Sequence, residues 1–203
     1  GDLVHNRAYG STDGSTPATP ETWYDVASVT KILASVPLLL RAESEVPQGF
    51  TSRRMDELLP ELKGSAIGRA TAADVLAHQS GLQAWIPFYK SMLRQDGGFD
   101  HRYLRTVRDT VYRLPVAPGI WAAHWMHDTL IARIARAPLG PKVYEYSDLG
   151  ADLLGFVAEA ASGQSLDAFL ERSVFTKLGM TDTHFRPDAM SSVRTAPTEI
   201  APP

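Results

Sequence analysis

The sequence predicts a helix-rich chain with at most two or three strands. It is either an all-α domain or the helical part of an α+β fold whose sheet is mostly absent. Three observations point this way. Leu149, Leu153, Phe156, Val157 and Ala160 recur at helical spacing and mark an amphipathic helix. Thr71-Ala-Ala-Asp74 is a capping box ahead of Val75-Leu76, and Ser165 stands as an N-cap before Phe169-Leu170. Period-two alternation is scarce, and only residues 2–9 read as a strand.

The elements follow in order. After the strand at 2–9, Gly10 to Pro20 is rich in Gly, Ser, Thr and Pro and reads as a loop. Trp23-Tyr24-Asp25-Val26 leads in as extended chain. A helix over 28–40 runs through Ile32, Leu33, Val36 and Leu39-Leu40, with Pro37 kinking it. Met55 to Leu59 is a short helix stopped by Pro60. The helix opened at Thr71 ends at His78-Gln79-Ser80-Gly81, with Gly81 as its left-handed stop. Tyr103 to Tyr112 and His127 to Ala135 both carry helical periodicity. Ser162-Gly163 closes the amphipathic helix, and the helix capped by Ser165 reaches Val174. Everything after Arg186 is irregular.

Composition bounds the function. The chain has 203 residues, 44% hydrophobic and 21% charged, which are ordinary globular values for one domain. The net charge of −3 gives no electrostatic case for nucleic acid or acidic lipid. Cysteine is absent, so disulfides and thiolate metal sites are excluded. No run approaches the ~18 apolar residues of a membrane span. The chain opens on Gly-Asp-Leu-Val-His without a signal peptide, as the interior of a longer protein would.

Ser28-Val-Thr-Lys31 carries the chemistry. A serine and a lysine three residues apart share one helical face, where an amine can act on a hydroxyl and make it a nucleophile for acyl transfer. The tetrapeptide alone reads more readily as a solvated helix start capped by Ser28. Three further segments follow it in order: Asp74-Val-Leu-Ala-His78-Gln-Ser-Gly81-Leu82, Tyr146-Ser147-Asp148-Leu149-Gly150, and Leu178-Gly179-Met180-Thr181-Asp182-Thr183. Together these four resemble the penicillin-recognising serine hydrolases: class C-like β-lactamases, DD-peptidases and related esterases. Ala84-Trp85-Ile86-Pro87-Phe88-Tyr89 and Ala196-Pro197-Thr198-Glu199 look like one bacterial subgroup of that family, whose members are sometimes attached to glycoside hydrolases acting on N-acetylglucosamine linkages. The resemblance runs from about Val4 to Glu199.

The resemblance implies an α+β fold of the β-lactamase/transpeptidase type, with the helical subdomain largely present and the antiparallel sheet mostly missing. Within a single partial domain over 1–203, it gives a strand and lead-in over 1–27 and the nucleophile helix over 28–40. A helical region with a lid from Ala84 to Val143 fills 41–190, and an irregular tail 191–203. It implies Ser28 as the acylated nucleophile, with its N–H as one oxyanion donor. Lys31, desolvated and lowered in pKa, is implied as proton acceptor or as the group that keeps a phenol ionised. Tyr146 is the implied catalytic tyrosine. Asp148 stands where the family often carries Asn; a carboxylate there cannot donate to a substrate amide and pairs instead with Lys31. No cofactor or metal is implied.

The family's third motif, Lys or His followed by Ser/Thr-Gly, does not occur after Asp148. That motif supplies the second oxyanion N–H. The chain is therefore expected to be an internal fragment, active with a second chain or segment that supplies the missing strands.

The remaining candidates keep two readings. Asp148 serves as an N-cap, as a substrate-binding residue, or both. Trp85, Tyr89 and Trp121 line a substrate cleft or pack in the core. His78 reads as a helix-end imidazole bonded to a carbonyl. His124 and His127 have a metal-pair spacing without a third ligand. Arg102, Arg105 and Arg108 form a stripe on the helix expected there, read as a solvated face.

The expected function is a serine hydrolase working through an acyl-enzyme on Ser28, as esterase, peptidase or amidase on cell-wall-like or small acyl substrates. The alternative is a non-catalytic ligand-binding or scaffolding domain of the same fold. The resemblance implies a bacterial, periplasmic or exported protein with a small-molecule or peptide substrate, and no nucleic acid or membrane span.

Overall fold

The computed structural model describes residues 4–32, 49–185 and 195–198. Its core is helical and its described sheet is small. Helix α1 (Met55–Leu58) ends at the extended Leu59, and Pro60 opens a 3-10 turn, Pro60–Leu62. Proline lacks the N–H that would continue α1 but fits the first position of a new turn. Helix α2 (Ala72–Leu76) starts on the predicted capping box: Thr71 Oγ1 accepts the Asp74 N–H, and Asp74 Oδ2 accepts the Thr71 N–H. Helix α3 (Met126–Ala135) agrees with the sequence.

Helix α4 (Asp148–Ser162) begins at Ser147, whose hydroxyl accepts the Gly150 N–H, and ends at Gly163 in a left-handed conformation, φ +66°. Its buried face is Leu149, Leu153, Leu154, Val157 and Ala158. The predicted face is thus rotated: Ala160 is exposed and Phe156 is half-buried. Gly150 explains the rotation, because it is where α4 meets α2. A Cβ there would lie 3.1 Å from Val75 Cγ1. The main core gathers α1, α2, α3 and α4 around Met55, Leu62, Ile67, Ile134 and Leu153. Helix α5 (Leu166–Leu170), a π turn (Glu171–Phe175) and α6 (Thr176–Leu178) enclose a second cluster of Phe169, Leu170 and Phe175. The Ser165 hydroxyl donates to Asp167 Oδ1 rather than capping the backbone of α5.

The segment Tyr103 to Tyr112 is not helical. It contains β1 (Leu104–Arg105) and opens β2 (Tyr112–Ala117), which pairs with β3 (Ile120–Ala123) in an antiparallel sheet of order β1-β3-β2. The Asp109 carboxylate accepts the N–H groups of Val111 and Tyr112, both at 2.7 Å, so the backbone turns into β2 instead of a helix. The arginine stripe dissolves accordingly. Arg102 pairs with Asp100, Arg105 lies over the Tyr112 ring at 4.3 Å, and Arg108 over the Trp121 ring at 5.3 Å.

Residues 4–9 form no strand, since they have no ladder partner among the described residues. Downstream, Trp23 bridges in parallel to Thr195, and the Ala196 N–H donates to the Trp23 carbonyl at 2.8 Å. Residues 29–32 are helical. The rest of the helix predicted over 28–40, with Pro37, lies outside the described residues, as does most of the tail after Arg186.

Candidate active site

Two stretches of chain build the site. The first is the tight entry to the helical turn at 29–32. Asp25 Oδ1 accepts the Ala27 N–H at 2.6 Å, and Ala27 adopts φ +44°, a region that non-glycine residues rarely occupy. This turn presents Ser28 at the start of the helix, and the Ser28 carbonyl accepts the Lys31 N–H at 3.1 Å. One helical turn brings the two side chains together: Lys31 Nζ donates to Ser28 Oγ at 2.8 Å.

The second stretch is the start of α4, clamped against the loop after α2. The Glu145 N–H donates to the His78 carbonyl, the Ser147 N–H to His78 Nδ1, the Ser147 hydroxyl to the Gln83 carbonyl, and the Asp148 N–H to the Ala84 carbonyl. Farther along, the Gly140 N–H donates to the Gly81 carbonyl at 2.8 Å. Gly81 has φ +82°, and a Cβ there would lie 2.5 Å from the Gly140 oxygen, so the close approach needs glycine on both counts. Gly81 is not the helix stop the sequence suggests. His78, at φ +55°, is the first left-handed residue after α2.

The clamp sets Tyr146 and Asp148 over the Ser28 turn. Asp148 Oδ1 lies 2.9 Å from Lys31 Nζ, and the ammonium stands 5.2 Å from the centroid of the Tyr146 ring. Ser28 and Lys31 both act on the Tyr146 hydroxyl. Ser28, Lys31, Tyr146 and Asp148 thus meet at one point, although more than a hundred residues separate the two pairs in sequence.

The charges at this point are unequal. Desolvation acts to lower the pKa of Lys31, but hydrogen bonds to Asp148 and Tyr146 outweigh it, and the amine sits above its ordinary value. The lowered lysine that the resemblance implies is not found, because the Asp148 carboxylate replaces the neutral amide. The Tyr146 phenol is shifted the other way: hydrogen bonds from Ser28 first and Lys31 second hold it below the ordinary phenol range. The arrangement is a fixed cation beside a hydroxyl and an acidified phenol.

A cavity of about 480 Å³ opens beside this group, with Ala27, Thr30 and Lys31 on one side and α4 on another. Trp85 lines it and Tyr89 does not; both are about half exposed. Trp121 belongs to β3, away from the cavity lining. Asp152, one turn beyond Asp148, also lines the cavity and was not singled out from the sequence. Much of its surface faces the open cleft, yet burial of the carboxyl and the neighbouring Asp148 charge push it up to about 6. Its signal was the i, i+4 repeat of carboxylates on α4. His124 and His127 turn to different partners, Val111 and Glu159. Among the described residues no group of three or more His, Cys, Asp or Glu is placed to hold a metal ion. No helix among them is long and apolar enough to cross a membrane.

Comparison with known proteins gives the family. The family model described as Beta-lactamase matches residues 1–202. The chain is 31% identical over 193 residues to "Esterase EstB" of Burkholderia gladioli, covering 91% of this chain and 44% of that protein. It is 30% identical over 198 residues to an Escherichia coli K12 protein provisionally named a D-alanyl-D-alanine carboxypeptidase, covering 91% of this chain and 41% of that one. Among solved structures, a class C beta-lactamase superposes with a TM-score of 0.63 at 21% identity, over 93% of this chain and 44% of that chain. The chain therefore spans less than half the length of the relatives it matches.

Proposed function

This chain belongs to the beta-lactamase family, and on that premise we propose that it is the nucleophile-bearing part of a serine hydrolase that forms an acyl-enzyme on Ser28. The observation that carries the proposal is Lys31, which donates to Ser28, pairs with Asp148 and stands over the Tyr146 ring, with Asp148 holding it in its charged state. A lysine kept protonated cannot be the base. Tyr146, lowered by Ser28 and Lys31, takes that role.

The steps follow from these contacts. In its ionised form the Tyr146 oxygen removes the Ser28 proton as Oγ attacks the substrate carbonyl. The Ser28 N–H supports the oxyanion. Tyr146 returns the proton to the leaving oxygen or nitrogen as the bond to the acyl carbon breaks. A water then loses a proton to Tyr146 and attacks the acyl carbon. The bond to Ser28 Oγ breaks as Tyr146 passes that proton to Oγ, which releases the carboxylic acid and restores both the serine hydroxyl and the phenolate. Lys31 remains charged throughout and stabilises the phenolate. Trp85 borders the acyl substrate, and Asp148 faces it as an acceptor rather than a donor. Tyr89, also expected at the substrate, stands off the cavity and is left without a role.

The substrates proposed are esters, amides or peptides of cell-wall-like or small acyl groups, in an exported bacterial setting. The names of the two curated relatives support the ester and peptide classes. The second oxyanion donor comes from further polypeptide, in the same protein or in a partner chain, as the longer relatives suggest. A fluorophosphonate probe, or a labelled penicillin, added to the full-length protein should modify Ser28, and Ser28→Ala should abolish the label. Equal labelling of both proteins would refute the proposal.

A further inference from the structure

We propose that His78 is a positioning residue for Tyr146, acting through its Nδ1. Among the described residues only two non-glycine residues have positive φ: Ala27 at +44° and His78 at +55°. One precedes the nucleophile. The other lies against the tyrosine. Strained backbone of this kind persists where surrounding contacts enforce it, and it clusters at functional sites.

His78 touches three successive residues of the Tyr146 segment. Its carbonyl accepts the Glu145 N–H at 2.9 Å. Its ring centroid lies 4.7 Å from that of Tyr146, at 40°. Its Nδ1 accepts the Ser147 N–H at 3.1 Å. The last contact fixes the tautomer, because an accepting Nδ1 carries no proton and the neutral ring must carry it on Nε2. Ser147 is only 2% exposed, so without Nδ1 its N–H would be buried and unsatisfied, and the segment would shift to find a partner. The imidazole therefore holds the peptide that follows Tyr146 while its face limits where the phenol ring can lie.

This inference rests on the reading of Tyr146 as the base. Misplacement of a reacting group by about 1 Å costs about 10²-fold in rate. His78→Gly removes the side chain and accepts the left-handed backbone without strain. His78→Asn restores an acceptor oxygen near the Nδ1 position, and Asn tolerates the same φ.

In the full-length protein assayed with p-nitrophenyl acetate, His78→Gly is expected to lower kcat about 10- to 100-fold with KM within about twofold, and His78→Asn to recover most of the loss. Rates are expressed per site titrated with fluorophosphonate, which removes any misfolded fraction. Wild-type kcat per labelled site in His78→Gly, or no recovery in His78→Asn, overturns the inference while the hydrolase reading stands. A wild-type protein that is not labelled at Ser28 overturns both.

Discussion

Lys31 and Asp148 form an ion pair at 2.9 Å in which the ammonium also donates to Ser28 at 2.8 Å. The pair divides the work of the site. Asp148 keeps the lysine charged, and the charged lysine lowers the phenol of Tyr146. Replacing Lys31 by Met should therefore act on Tyr146. The activity of the full-length protein should rise with pH as Tyr146 ionises, and in Lys31→Met that rise should move to higher pH. The rate at neutral pH should fall by about 10²- to 10⁴-fold. A pH–rate profile of kcat/KM checks this, and an unmoved limb would separate Lys31 from the ionisation of Tyr146.

Asp152 makes a prediction about stability. Its carboxyl is pushed up to about 6, against about 3.9 in an unfolded chain. Between those values the folded protein binds more protons than the unfolded one. Stability should thus increase as pH falls from above 6 towards 4 through this group, and be lowest from it at neutral pH. Asp152→Asn should flatten that trend and be at least as stable as the parent at pH 7. Urea denaturation across the range measures it.

Gly81 tests the clamp. An alanine there meets both a left-handed φ of +82° and a backbone oxygen 2.5 Å from its Cβ. Gly81→Ala should cost about 1–3 kcal/mol of left-handed strain and the clash with Gly140 on top of it, whereas Gly119→Ala, at φ +69° with open space around it, should cost the strain alone. Thermal denaturation of the two variants gives the comparison.

The helical core was legible because its signals are local. The capping box at Thr71 and Asp74 and the left-handed stop at Gly163 need only a few neighbouring residues. The sheet was not legible, because what turns Tyr103–Tyr112 into strands is the Asp109 carboxylate bonding two backbone N–H groups, which competes with a helical spacing that is also present. The buried face of α4 was misread at Ala160 for a tertiary reason: the contact of Gly150 with Val75 sets its rotation. In the site, the ordered motifs name Ser28, Lys31, Tyr146 and Asp148, which the structure brings together, while their charge states are not readable from sequence. The raised Lys31 and the lowered Tyr146 depend on contacts between segments far apart in sequence. The imidazole of His78, expected to meet a carbonyl, instead accepts the Ser147 N–H for the same reason.

Ser28 as the site of acylation is the claim on which the rest stands. Intact-mass spectrometry of the full-length protein during turnover of an activated ester tests it most directly. The account predicts a transient mass increase equal to the acyl group, located on the peptide containing Ser28 and absent from Ser28→Ala. Turnover by Ser28→Ala at the wild-type rate, or an acyl group on another residue, would contradict it.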